Sequence, residues 1–290
     1  MSKFFDETQK AQEWAAQQAA TKSLNLEQAL RTVKENVAQA AAVVNEMADS
    51  RLGNCRKLHL TRQAGVPVIL PGDAPNSPAA ESYRTIRTRL MRYQRENGVR
   101  SLVVSSALPD EGKTLTALNL ALCCAQLQDL RILLVDADLR TRGLTGIIGY
   151  PPVPGLAEVL AGKAQFDQAI FATDQPNLYI LPAGAPKAPA PELYAGERWK
   201  ELIGWCSEAF SIILVDTPPI LPLSDFDLIM NGCDAALVVV RSQKTPRELL
   251  QKAAGQIDKS KLLGVIFNAT DFASGNRYYQ YYESRNGNGQ

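Results

Sequence analysis

The sequence predicts an α/β fold in which a parallel sheet is flanked by helices on both faces, with a helical extension before it and a disordered tail after it. Three observations predict this. From about residue 79, short apolar runs alternate with helical stretches. The runs are unbroken, as in Leu102-Val103-Val104 and Ile132-Leu133-Leu134-Val135, which marks strands buried on both faces. Strand–helix–strand order then implies right-handed crossovers between parallel strands.

Residues 1–60 read as the helical extension. They are rich in Ala, Gln, Glu and Lys, and Leu24, Leu26, Leu30, Val33, Val37 and Val44 recur at roughly helical spacing. Helices are expected over about 7–21 and 25–49. Such weakly apolar helices rarely build a core alone, so a docked extension and a partner-binding arm both fit. Residues 61–78 hold Gly65, Pro67, Pro71, Gly72, Pro75 and Pro78, the density of a linker.

The compact domain spans 79–270. A helix is expected over 80–95, a strand over 101–105, a helix over 114–126 and a strand over 131–135. Short helices follow at 156–160 and 166–170, then a strand at 177–181. A helix over 191–210 breaks near Ala195-Gly196. The remaining strands are 211–215, 235–240 and 262–267, with helices 222–230 and 246–258 between them. Residues 271–290 are rich in Asn, Gly, Ser and Gln and lack the aliphatic residues of a core, which predicts a flexible tail.

Composition narrows the chemistry. The 290 residues carry a formal net charge of +1, so no global basic field points to nucleic acid. Five cysteines show no metal-like spacing and read as reduced, mostly buried thiols. His59 is the only histidine, which argues against a zinc site and against histidine acid–base chemistry in the core domain. No apolar run approaches the ~18 residues of a membrane span, and Met1 to Lys10 has no signal-peptide character. A cytoplasmic location is expected, with any membrane attachment through a partner.

The most informative segment is Ser106-Ala107-Leu108-Pro109-Asp110-Glu111-Gly112-Lys113-Thr114, between an apolar strand and a helix. It fits the phosphate-loop pattern Gly-x-x-x-x-Gly-Lys-Ser/Thr, with Ala107 in place of the first glycine. Successive backbone N–H groups and a helix N-terminus form an anion-binding concavity there. Lys113 can reach β- and γ-phosphates, and the Thr114 hydroxyl can bind Mg²⁺. Pro109 through Leu115 form the candidate nucleotide-binding stretch. ATP with Mg²⁺ is the expected ligand.

Two further strands end in aspartates: Asp136-Ala137-Asp138-Leu139-Arg140 and Asp216-Thr217-Pro218-Pro219. Ligands bind beyond the carboxyl ends of strands in open parallel sheets, so Asp136, Asp138 and Asp216 should all face the phosphate loop. Asp216 is the natural Mg²⁺ holder. Asp136 and Asp138 remain for metal support or for accepting a proton.

These motifs, Ser-Ala-x-Pro-x-Glu-Gly-Lys-Thr, Val-Asp-Ala-Asp-Leu-Arg and Leu-Val-Asp-Thr-Pro-Pro, resemble the bacterial tyrosine autokinases of capsule and exopolysaccharide synthesis. That family lies within the MinD/ParA-type phosphate-loop ATPases. Gly155 to Gly162, Leu181 to Gly184 and Pro191-Glu192-Leu193 sit in the expected order. Glu81-Ser82-Tyr83-Arg84-Thr85-Ile86-Arg87 resembles the family's Glu-x-x-Arg-x-x-Arg oligomerisation helix. The resemblance covers about residues 79–290.

The resemblance implies roles. Lys113 and Thr114 would hold the triphosphate and metal, Asp136 would be the base for a tyrosine hydroxyl, and Asp138 and Asp216 would lie at Mg²⁺. Tyr278, Tyr279, Tyr281 and Tyr282 match the family's C-terminal autophosphorylation cluster. Glu81, Arg84 and Arg87 share one helical face for a homo-oligomer. A transmembrane co-polymerase-type adaptor in a separate chain is implied as partner. Asp110 stands where the family usually has Gly, and the stretch after Arg140 lacks its usual Arg-Pro and histidine. The competing readings are a switch ATPase and a nucleotide-binding structural subunit of an export complex. The absence of a second lysine in Ser105 to Asp110 and the tyrosine tail favour the kinase.

Overall fold

The computed structural model describes residues 28–36, 39, 46, 48, 50–53, 55–61, 63, 65–69, 77–128, 130–150 and 153–270. The chain divides into two units, Met1–Ser50 and Arg51–Gln290. In the first, residues 28–36 are helical, within the helix expected over about 25–49. The helix expected at 7–21 and the tail 271–290, with its four tyrosines, lie outside the described residues.

In the second unit, β1 (Arg56–Leu58), β2 (Ser101–Ser106), β3 (Ile132–Asp136), β4 (Phe171–Thr173), β5 (Leu178–Leu181), β6 (Ile212–Asp216), β7 (Ala235–Arg241) and β8 (Leu262–Asn268) form one sheet. Its order is β1-β4-β5-β3-β6-β2-β7-β8. Every pairing is parallel except β4 with β5. The helices are α1 (Pro78–Asn97), α2 (Lys113–Ala125), α3 (Gly143–Ile148), α4 (Leu156–Leu160), α5 (Phe166–Ala169), α6 (Ala190–Tyr194), α7 (Arg198–Ala209), α8 (Asp225–Met230) and α9 (Arg247–Ala254). Among the described residues, no helix is long and apolar enough to cross a membrane.

The expected apolar strands β3, β6, β2 and β7 lie side by side in the sheet interior, and all of β2, β3 and β6 is buried. Helices cover both faces of such a sheet, so each strand can be apolar on both sides. α1 starts at Ser77, whose Oγ accepts the Ala80 N–H at 3.2 Å, and ends at Gly98 in the left-handed region, φ 68°. The break expected near Ala195-Gly196 separates α6 from α7. Trp199, Phe210 and Phe226 are fully buried, and the Trp199 indole donates to the Ile229 carbonyl at 2.8 Å.

The extension and linker behave differently from the sequence reading. Arg56–Leu58, placed in the helical extension, is instead a strand at the sheet edge, paired with the equally unexpected β4. Within the Pro-rich stretch, Pro67 to Ile69 pack against the domain. Val68 is buried, the Ile69 N–H donates to Asn119 Oδ1 at 2.9 Å, and the Asn119 amide returns a bond to the Pro67 carbonyl at 3.2 Å. The described cysteine thiols are free, and all but Cys55 are buried.

Candidate active site

β2, β3 and β6 are neighbours, and their carboxyl ends meet the start of α2. Asp136 and Asp216 are register partners across β3 and β6, and Val104 of β2 lies beside Asp216. The loop leaves β2 at Ser106 and enters α2 through Gly112, at φ 87°. Asp110 also adopts a left-handed conformation, φ 62°. Glycine takes such a conformation freely, and Asp is among the few other residues that visit it. The Thr116 N–H closes the first turn of α2 on the Gly112 carbonyl at 2.9 Å, so the N–H groups before it have no partner within the helix, and such a helix start carries partial positive charge.

The charges beside this helix start are compressed. Lys113 Nζ lies 3.0 Å from Asp138 Oδ2, 4.0 Å from Asp216 Oδ1 and 3.4 Å from Thr114 Oγ1. Asp136, Asp138 and Asp216 are each no more than 1 % exposed. Burial, then Asp216 and Asp138, holds the Asp136 carboxyl well above the usual carboxylate range. Burial pushes Asp216 up to about 6 even though Lys113 pulls it down. Asp138 goes the other way: its burial is outweighed by Lys113 and by the bond it accepts from Thr141 N–H at 3.1 Å. For Lys113, burial alone would lower proton affinity, but Asp216 and Asp138 outweigh it and the ammonium is held. The Tyr150 hydroxyl donates to Asp136 Oδ2 at 3.4 Å.

Both oxygens of Asp216 and Oδ1 of Asp136 are buried without a hydrogen-bond partner. Unsatisfied buried carboxylate oxygens are costly, and a cation is the partner that suits them. Among the described residues, no three His, Cys, Asp or Glu side chains form a metal cage. Mg²⁺ does not require one, since it binds through one or two carboxylates together with phosphate oxygens and water. The Thr114 hydroxyl, Asp138 and Asp216 therefore fit it.

Above this cluster opens a cavity of about 510 Å³. Pro109, Asp110, Gly112, Lys113, Thr114 and Leu115 line it on the loop side, and Asp138 on the β3 side. These are the residues expected to meet a nucleotide, with one exception. The Glu111 side chain, expected among them, is buried and turned into the fold. Asp136 and Asp216, expected to face the loop, are fully buried and do not line the cavity. The sequence reading missed Arg140, Thr141 and Gly143 on the wall. Arg140 is fixed there by a two-pronged ion pair to the fully buried Asp225, at 2.7 and 3.0 Å. Arg140 closes the motif Asp136-Ala137-Asp138-Leu139-Arg140, which is the signal the sequence offers for it.

The three residues expected to oligomerise lie on α1, apart from the cavity. Arg84 pairs with Glu81 at 2.8 Å, and Arg87 donates to the Cys123 carbonyl near the end of α2 at 2.8 Å.

Asp110 offers a first test. It is exposed and stands on the wall of the cavity expected to take a triphosphate. Asp110→Gly should tighten nucleotide binding about fivefold, roughly 1 kcal/mol of relieved repulsion. Little change in melting temperature is expected, because relief of the left-handed backbone and the added chain entropy of Gly offset each other. Titration with a fluorescent ATP analogue reads this; unchanged or weaker affinity would show that the charge does not oppose binding.

The profile of a family described as an AAA domain matches residues 110–261, more than half of the chain. The tyrosine-protein kinase YwqD of Bacillus subtilis is 36% identical over 210 residues, covering 71% of this chain and 88% of YwqD. The succinoglycan biosynthesis transport protein ExoP of Rhizobium meliloti is 34% identical over 214 residues, covering 72% of this chain but only 27% of ExoP. Among solved structures, the kinase domain of the Escherichia coli tyrosine kinase ETK superposes with a TM-score of 0.66 at 27% identity. That match covers 71% of this chain and 81% of the ETK domain.

Proposed function

This chain belongs to the bacterial tyrosine-protein kinases, and on that premise we propose that it is an ATP-dependent autokinase. It transfers the γ-phosphate of Mg-ATP to Tyr278, Tyr279, Tyr281 and Tyr282 of a neighbouring subunit, in the service of capsule or exopolysaccharide synthesis and export. The observation that carries the proposal is Lys113, set among three buried carboxylates under the phosphate loop. One ammonium cannot neutralise that cluster, so the site is built for additional positive charge and for a ligand that brings it.

The loop and the start of α2 bind the triphosphate, and Lys113 turns from Asp138 toward its β- and γ-oxygens. Thr114, Asp138 and Asp216 would hold Mg²⁺, which when bound neutralises phosphate charge. The acceptor phenol loses its proton to Asp136 as its oxygen bonds to the γ-phosphorus. The bond from that phosphorus to the bridging oxygen breaks, and ADP leaves. Asp136 suits this role because its surroundings raise its proton affinity and one oxygen is free to accept. Positioning and electrostatics supply most of the catalysis in such a reaction.

Glu81, Arg84 and Arg87 are proposed to join subunits so that one tail reaches the next site. A transmembrane co-polymerase-type partner is proposed to anchor the kinase at the inner face of the membrane. YwqD, named a tyrosine-protein kinase and matched over most of its length, supports the kinase reading; ExoP, named a succinoglycan biosynthesis transport protein, supports the link to polysaccharide synthesis and transport.

A mixing experiment tests both tail and interface. A Lys113→Ala chain with an intact tail is combined with a chain in which all four tail tyrosines are Phe. Phosphotyrosine on the Lys113→Ala chain is expected, with at least a fivefold reduction when both chains also carry Arg84→Ala and Arg87→Ala (roughly 1 kcal/mol lost at the interface). Label confined to the chain lacking the tail tyrosines would refute transfer between subunits, and equal label with the arginine variants would refute the interface.

A further inference from the structure

The phosphate loop is held from behind by the ends of two strands. Glu111 is 3% exposed, and one carboxylate oxygen accepts the Leu108 N–H at 3.0 Å. The other accepts the hydroxyl of Thr245, in the turn after β7. Thr245 Oγ1 also accepts the Arg241 N–H at 3.0 Å, and the Arg241 guanidinium donates to the Asp110 carbonyl at 3.3 Å. From the end of β8, the Asn268 amide donates to the Glu111 carbonyl at 3.0 Å. The same amide fills the space beside Gly112, where an added Cβ would stand 2.1 Å from its Nδ2.

Two left-handed residues, Asp110 and Gly112, flank Glu111. A non-glycine residue in that region costs about 1–2 kcal/mol and persists only when its surroundings over-determine it. Here the surroundings are the three side chains from β7, its turn and β8. We infer that Thr245 and Asn268 are positioning residues for triphosphate binding. They hold Glu111 so that the loop keeps its anion-binding shape before a nucleotide arrives. This rests on the nucleotide reading of the loop. Neither side chain needs to touch the ligand: a loop already in its binding conformation loses less entropy on binding.

The test uses the full chain and a fluorescent ATP analogue. Thr245→Val keeps the shape and deletes the hydroxyl; Thr245→Ser restores it. Loss of a bond to a buried carboxylate should weaken binding about tenfold in Thr245→Val. Thr245→Ser should stay within about twofold of wild type, and Asn268→Ala should weaken binding like Thr245→Val. In turnover the loss should appear in KM for ATP, with kcat at saturation nearly retained. Wild-type affinity in Thr245→Val, or Thr245→Ser as weak as Thr245→Val, would overturn the inference while leaving the nucleotide site standing. A wild-type chain that binds no analogue would overturn both.

Discussion

Lys113→Ala is expected to lower phosphotransfer by at least about 10³-fold, since removing even one donor to the charge that develops in a transition state costs about 10²–10³. It is also expected to change how stability depends on pH. Lys113 is the cation that offsets Asp138 and Asp216 in their buried cluster. Asp216, with an ordinary value of 3.8, already sits at about 6 with the lysine present. An acid whose folded value is raised binds more protons folded than unfolded between those two values, so stability falls as pH rises through that window. Without Lys113 the window extends upward. The variant should lose on the order of 3 kcal/mol at pH 8, as for a buried pair stripped of one partner. Much of that should return near pH 5, where the carboxyls take up protons. Melting curves at both pH values, beside a phosphotyrosine assay, read the two effects. Transfer within threefold of wild type would remove Lys113 from the site.

Asp136→Asn should separate stability from activity. Asn still accepts the Tyr150 hydroxyl, now 3.4 Å from Asp136, and it removes a carboxyl whose ionised form is penalised by burial and by Asp216 and Asp138. The variant should therefore melt no lower than wild type at pH 8. Its kcat should fall by about 10²–10⁴, the usual contribution of a positioned proton acceptor, with the KM for ATP little changed. In the wild type the acid limb of kcat should lie above the ordinary carboxylate range, because Asp136 must be ionised to accept a proton. A variant retaining more than about a tenth of wild-type kcat would move the proton to another group, and Asp138 on the cavity wall is the nearest alternative.

How the sequence discloses this site follows from where its parts lie along the chain. Asp136, Asp138 and Asp216 each end or follow an unbroken apolar run, and Lys113 and Thr114 open the helix that follows the loop after another, so local pattern locates both element and side chain. β1 and β4 carry no such mark: each is three residues long, too short to show periodicity, and β1, at the sheet edge, reads Arg-Lys-Leu. The folding of Val68 and Ile69 onto Asn119 has no signature in a Pro-rich stretch. Glu111 reads as part of the nucleotide loop because its neighbours are. Its partner Thr245 is 134 residues away and Asn268 is 157 away, so nothing local announces that its side chain turns inward. Asp110 is the instructive intermediate. Its departure from glycine is visible in sequence, while the Arg241 bond that accompanies its left-handed backbone is visible only in the fold.

The measurement closest to the central claim is the fate of the γ-phosphate. Purified chain is incubated with γ-labelled ATP and Mg²⁺, together with the membrane partner where one is identified, and the label is mapped by peptide mass spectrometry. The expected result is phosphotyrosine on the peptide holding Tyr278, Tyr279, Tyr281 and Tyr282, absent from Lys113→Ala. Label released as free phosphate, with those tyrosines unmodified, would contradict the kinase and leave a switch ATPase in its place.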